Sequence, residues 1–220
     1  MPIGLISDIH ANLPALEAVL ADMPPVDTVV CAGDVVGYNP WPAECVERVR
    51  EVCDAVVQGN HDRNVETPHR YRANRMAEAG LELAKAELSA TQREWLSDLP
   101  RTATLAEEFL LVHDHPEHQD KYVYPGEFPT LRRYLDDRAG VVIGHTHVQH
   151  EATVDNRLIV NPGSVGQPRD GTAGAAYAVL HPEDRSVDLH RTDYDVDGVV
   201  SRIEGSDLPD GTGTRLLDGR

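Results

Sequence analysis

Short apolar runs alternate with amphipathic stretches along the first part of the chain, and each run stops at a polar cluster. Ile3 to Ile6 runs into Asp8-Ile9-His10, Thr28-Val29-Val30-Cys31-Ala32 into Gly33-Asp34, and Ala55-Val56-Val57 into Gln58-Gly59-Asn60-His61-Asp62. Between them Leu13, Leu16, Val19 and Leu20 keep helical spacing behind Pro14 until Pro24-Pro25, and Pro42 to Val52 carries a second amphipathic stretch through Cys45, Val46 and Val49. Continuous apolar strands separated by amphipathic helices predict parallel strands buried on both faces, with ligands gathering where the strands end.

Further on, Arg72 to about Leu88 is helical in pattern, and Thr91-Gln92-Arg93-Glu94 reads as the capping box of a second helix that closes at Pro100. Thr102 to His113 reads as two strands turning near Glu107-Glu108, the second ending at His113. Residues 114–126 lack periodicity and are rich in His, Asp, Tyr and Pro, a candidate cover over a site. A helix is expected from about Thr130 to Asp137, then a strand Val141-Val142-Ile143 that empties into Gly144-His145-Thr146-His147. From His150 to Tyr194, strand-like segments alternate with turns, which predicts antiparallel hairpins forming a second sheet packed on the first. Val199 to Ile203 reads as a last helical turn. The domain is therefore expected to span 1–204, with 205–220 a flexible, Gly- and Asp-rich tail.

Composition narrows the function classes. With 37 acidic against 20 basic residues, the net charge of -17 repels nucleic-acid backbones and argues against a general nucleic-acid binder. Lys85 and Lys121 are the only lysines, and this arginine-over-lysine acidity resembles proteins of salt-loving organisms. No apolar stretch is long enough to cross a bilayer, so a cytoplasmic location without membrane contact is expected. Cys31, Cys45 and Cys53 form no C-x-x-C pair and read as small buried hydrophobes. The oligomeric state is left open, a homodimer included.

The polar clusters carry the chemistry. In extended backbone, residues i and i+2 face the same side, so Asp8 with His10, and His145 with His147, each present paired metal-ligand types to one point. Any one cluster could equally be a turn or a helix cap. Their recurrence at five strand ends, the first three consecutive, is hard to explain by packing.

Taken in order, Asp-x-His, Gly-Asp, Gly-Asn-His-Asp, a lone His and Gly-His-x-His resemble the signature of the calcineurin-like metallophosphoesterases, over Ile3 to about Leu180. Gly33-Asp34-Val35-Val36-Gly37-Tyr38 and the stretch from Asn161 to Arg169 are similar to the small single-domain prokaryotic phosphodiesterase-like branch. The resemblance implies an α/β fold, a four-layer α/β/β/α sandwich of two mixed sheets flanked by helices. It implies two divalent ions: Asp8, His10, Asp34 and His147 on one, Asp34, Asn60, His113 and His145 on the other, with Asp34 bridging. Mixed nitrogen and oxygen ligands suit manganese first, with nickel, cobalt, iron or zinc as alternatives.

His61 would stabilise the transition state or protonate the leaving oxygen, Asp62 is a candidate for orienting it, and Arg63 and Arg169 are candidates to grip substrate phosphate. The implied reaction is attack of a metal-activated hydroxide on a small phosphodiester or phosphomonoester, a nucleotide among the candidates. The alternatives are a catalytically silent metal-binding scaffold, and a hydrolase of dinucleoside polyphosphates or phosphoproteins. One departure from the branch pattern is His113-Asp114-His115-Pro116, where the extra carboxylate of Asp114 either narrows the pocket beside the second ion, alters its metal preference, or points to solvent. His115 and His118 are expected to be solvated.

Overall fold

The computed structural model describes residues 1–220. Strands β1 (Ile3–Ile6), β2 (Thr28–Cys31) and β3 (Ala55–Val56) pair in parallel, linked by helices α1 (Leu13–Asp22) and α2 (Pro42–Val52). Asn12 caps α1 by accepting from the Ala15 N–H at 3.3 Å. The short α3 (Asn60–Arg63) is followed by α4 (Arg75–Glu87) and α5 (Ala90–Asp98). The capping box of α5 is formed by Ser89 and Gln92, so the helix starts two residues ahead of the predicted box at Thr91.

Strands β4 (Thr102–Leu105) and β5 (Phe109–Val112) form the predicted hairpin. The helix expected over 130–137 is broken: α6 (Phe128–Leu131) is flanked by 3-10 turns, and Asp136 takes a left-handed conformation that ends them. After β6 (Gly140–Val142) come the hairpins β7 (His150–Val154) with β8 (Arg157–Asn161), and β9 (Ala175–His181) with β10 (Ser186–Thr192).

The two hairpins do not build a separate sheet, as the alternation suggested. The first extends β4-β5-β6-β8-β7, and the second crosses back to extend β10-β9-β1-β2-β3, giving two mixed five-stranded sheets. Alternation along each strand then makes the layers. Leu5, Val30, Phe109, Leu111, Val142 and Val160 fill the space between the sheets. The opposite face of the first sheet, Ile6, Cys31, Tyr177 and Val179, packs on Leu16, Val46, Leu81 and Leu96 of the helices. Val112, Val141 and Ile159 of the second meet Phe128, Leu131 and Leu135 around α6. The result is the expected α/β/β/α sandwich. Within it β1, β2 and β3 of one sheet and β5, β6 and β8 of the other run parallel to their neighbours, so the loops that follow them can converge on one crevice.

The C-terminal stretch is built into the fold. After α7 (Val196–Glu204), α8 (Gly211–Thr214) and a 3-10 turn fold Leu208 and Leu216 onto Val199 and Ile203. Gly171 N–H donates to the Gly219 carbonyl at 2.9 Å, tying the chain end to the loop after β8. Composition hid this, because four apolar anchors are enough to hold a Gly-rich segment. Leu216 is fully buried, so Leu216→Ala should cost about 2–5 kcal/mol in urea unfolding. A flexible tail would give no change.

Candidate metal centre

The loops after the parallel strands place Asp8, His10, Asp34, Asn60, His61, His113, His145 and His147 side by side, all buried. The convergence arises differently from the extended-strand alternation the spacing suggests. Asp8, His10, Asp34, His145 and His147 all have left-handed backbone, φ between +47° and +67°. Side-chain-bearing residues seldom adopt that conformation, and each of these aims its side chain across the crevice instead of along a strand.

The donor atoms form two groups with one member in common. His10 Nδ1 donates to the Val36 carbonyl at 3.1 Å and His147 Nδ1 to the Gln167 carbonyl at 2.5 Å. Both Nε2 atoms therefore carry lone pairs, yet they face each other at 3.1 Å. Asp8 Oδ1, buried without a hydrogen-bond partner, sits 3.2 Å from His147 Nε2, while its other oxygen is held by Ser7 Oγ at 2.7 Å and by His145 N–H at 3.0 Å. Three acceptors pressed together repel unless a cation lies among them.

The second group repeats the pattern. His113 Nδ1 donates to the Ala32 carbonyl at 2.7 Å, and its Nε2 faces Asn60 Oδ1 at 3.1 Å and Asp34 Oδ2 at 3.4 Å. Asn60 Nδ2 donates to the Tyr71 hydroxyl at 2.6 Å, which fixes its oxygen toward the crevice. His145 completes this group. Asp34 Oδ2 is also 3.7 Å from His10 Nε2, so one carboxylate oxygen looks into both groups. The residues fit a metal: oxygen and imidazole donors, no thiolate, and second-sphere carbonyls setting the tautomers.

Electrostatics agree with that fit. Burial holds His10 and His147 well below the usual imidazole range and His145 at about 3, so their lone pairs stay free for a metal. Burial also pulls on His113, but the Asp34 charge overrides it and raises His113 to about 10. Asp34 is held well below the usual carboxylate range, its burial outweighed by His113 and His61.

The remaining predicted residues separate into those at the crevice and those behind it. His61 lies in the crevice, its ring edge-on to His10 with centroids 4.8 Å apart and its Nδ1 buried without a partner. Gly37 passes so close to this ring that any side chain there would strike it. Asp62 does not reach the His61 side chain. Its carboxylate accepts from the backbone N–H groups of Asp34, Val35 and Val36 and from Gly59, at 2.8 to 3.3 Å. It braces the turn bearing Asp34.

Arg169 lines the crevice with His61 and His147 and lies over Tyr38, its guanidinium carbon 5.5 Å from the ring centroid. Arg63 turns away and pairs with Asp120 at 2.6 Å. Asp114 also turns away from the second donor group: it pairs with Arg101 at 3.1 Å and accepts from the Asp120 N–H. His118 is exposed, but His115 is buried, its Nδ1 accepting from Glu117 and His118 N–H groups to close a turn. Sequence reasoning passed over Tyr38, Tyr71 and Tyr122, which wall the crevice. The available signal was the placement of Tyr38 and Tyr122 in loops that follow strands; Tyr71, in a 3-10 turn between α3 and α4, had none.

A carboxylate shared between two imidazole groups, set at the carboxyl ends of strands from two stacked sheets, defines a metallohydrolase of the α/β sandwich class. The profile of the calcineurin-like phosphoesterase superfamily domain matches residues 1–185, and the chain belongs to that superfamily. It is 31% identical to an uncharacterized protein of Methanocaldococcus jannaschii over 99% of this chain and 98% of that one. It is 28% identical to the phosphodiesterase YfcE of Escherichia coli over 85% of this chain and 91% of YfcE. The crystal structure of a metallophosphoesterase from Sphaerobacter thermophilus superposes with a TM-score of 0.87 at 34% identity, covering all of both chains. The protein is a metal-dependent hydrolase of phosphoric esters.

Proposed function

We propose that the centre holds two divalent ions, manganese first among the alternatives, and hydrolyses a phosphodiester or phosphomonoester. The observation that supports two ions is Asp34 Oδ2, which faces His10 of one group at 3.7 Å and His113 of the other at 3.4 Å. Two close cations repel, and a shared anionic oxygen holds them together. When bound, the ions supply Lewis acidity, neutralising phosphoryl charge and acidifying water.

The chain's own groups do the rest. Asp8, His10, Asp34 and His147 hold one ion, and Asp34, Asn60, His113 and His145 the other. Burial holds His61 at about 4, so it meets the leaving oxygen as a neutral N–H donor. Arg169 places a positive charge beside the crevice, where the overall charge of -17 would otherwise turn a phosphate away. That charge, with only two lysines, also fits the cytoplasm of a salt-loving cell, so assays belong in high salt.

The test strips the protein of metal, refills it with Mn2+, Ni2+, Co2+, Fe2+ or Zn2+, and follows metal content and bis-p-nitrophenyl phosphate hydrolysis together. Turnover that appears only as the second ion loads is expected. Full turnover with a single ion bound would sink the two-ion reading.

A further inference from the structure

Tyr38, Tyr71 and Tyr122 line the crevice, and Tyr124 lies against Tyr122 with ring planes 15° apart and centroids separated by 6.0 Å. Three of the chain's seven tyrosines thus line one cleft, and a fourth stacks beside them. Packing does not call for this. Tyr122 is 44% exposed and Tyr124 50%, and they are the only aromatic residues among the exposed large hydrophobic ones.

Tyr122 is nonetheless held in place. Its ring stacks on His145, centroids 4.0 Å apart and planes 16° apart. The neighbouring Asp120 is gripped by Arg63, and its N–H is taken by Asp114, itself paired with Arg101. A half-exposed aromatic pair, Tyr122 with Tyr124, on a braced loop is a stacking platform.

A side pocket opens off the second donor group at this platform. Asn60 and His145 belong to both, Tyr71 and Tyr122 form aromatic walls, and Arg70 and Asp120 stand at the edge. No carboxylate pairs with Arg70, although acidic residues outnumber basic ones 37 to 20. An alkyl group would make little use of the aromatic walls, and a plain aryl ring would leave the Arg70 donors unmatched. A heteroaromatic ring with donors and acceptors on its edge satisfies both.

Resting on the phosphoesterase reading of the same centre, we propose that this pocket takes the base of a nucleoside phosphodiester, with Tyr122 as the residue that selects it. Hydrolysis breaks the ester P–O bond on that side and forms a new P–O bond to water, whose proton passes to the leaving ribose oxygen.

The test compares kcat/KM for uridine 2′,3′-cyclic phosphate and for glycerophosphoethanolamine, with the metal-loaded enzyme. The wild type should prefer the nucleoside diester, and Tyr122→Ala should reduce the preference about 10- to 100-fold, mainly through KM. Tyr122→Phe should keep it. Because Tyr122 leans on His145, Arg70→Ala serves as a second variant, at a side chain that bonds to none of the proposed metal ligands, with a severalfold fall in the same ratio expected. Equal use of both substrates by the wild type, or a ratio unmoved in both Tyr122→Ala and Arg70→Ala, overturns the assignment. Failure to turn over any diester, bis-p-nitrophenyl phosphate included, would instead overturn the phosphoesterase reading beneath it.

Discussion

Asp34→Asn is expected to abolish turnover and to leave the chain holding at most one divalent ion. The substitution preserves shape: the amide oxygen can still accept from His61 N–H, as Asp34 Oδ1 does at 2.8 Å. What it removes is the anionic oxygen that faces both donor groups. Without it two cations lose their common counter-charge, and several kcal/mol of transition-state stabilisation go with them, roughly 10^3-fold or more in rate. Metal content by mass spectrometry together with turnover decides the matter. Two ions retained at wild-type affinity would show that Asp34 is an ordinary ligand of one site and not a bridge.

The second large effect belongs to His61→Ala, where kcat should fall about 10^2- to 10^4-fold while both ions stay bound. His61 lies within ligand distance of His10 and Asp34, so a third imidazole on the first ion is the rival reading. Against it, Asp8, His10 and His147 already surround that position, and His61 sits between Tyr38 and Tyr71 at ring separations of 4.8 and 5.0 Å, on the open side of the cleft. The backbone N–H of His61 would still bind Asp34 in the variant, so the bridge should survive. Loss of one ion in His61→Ala would assign the residue to the metal and not to the leaving group.

Much of this could be read from the chain because buried parallel strands announce themselves as apolar runs, and each run here ended in residues with little use except at a site. The parallel run of β1, β2 and β3 was legible for that reason, whereas the division of the later hairpins between the two sheets was not. Nor was the cause of convergence. Alternation along a strand would have been sufficient for Asp8 and His10, yet left-handed backbone does the aiming, and nothing in a dipeptide spacing distinguishes the two.

Other misreadings share a physical origin in contacts distant along the chain. Asp114 looked like a ligand neighbour until Arg101 was found opposite it. His115 looked solvated, but a turn it caps itself buries it. The tail looked frayed because its anchors, Leu208 and Leu216, stand isolated in Gly- and Asp-rich sequence and meet Val199 and Ile203 of α7 only once the chain folds. Asp62 looked placed to orient the adjacent His61, whereas its carboxylate holds Gly59 N–H of its own loop and the backbone of Asp34, Val35 and Val36, 26 to 28 residues away.

The left-handed residues of the centre also bear on how the protein lives in a cell. Five of the proposed ligands hold a conformation that costs about 1–3 kcal/mol each in an unconstrained chain, a total of the same order as the whole net stability of a domain. Their lone pairs and carboxylates, pressed together, add to it. Ions that bind only the folded chain repay this by mass action, so the fraction of molecules folded at any moment follows the free metal concentration. Starved of metal, the chain would open more often and be cleared faster by proteases, and its abundance would track the metal supply without any dedicated regulator.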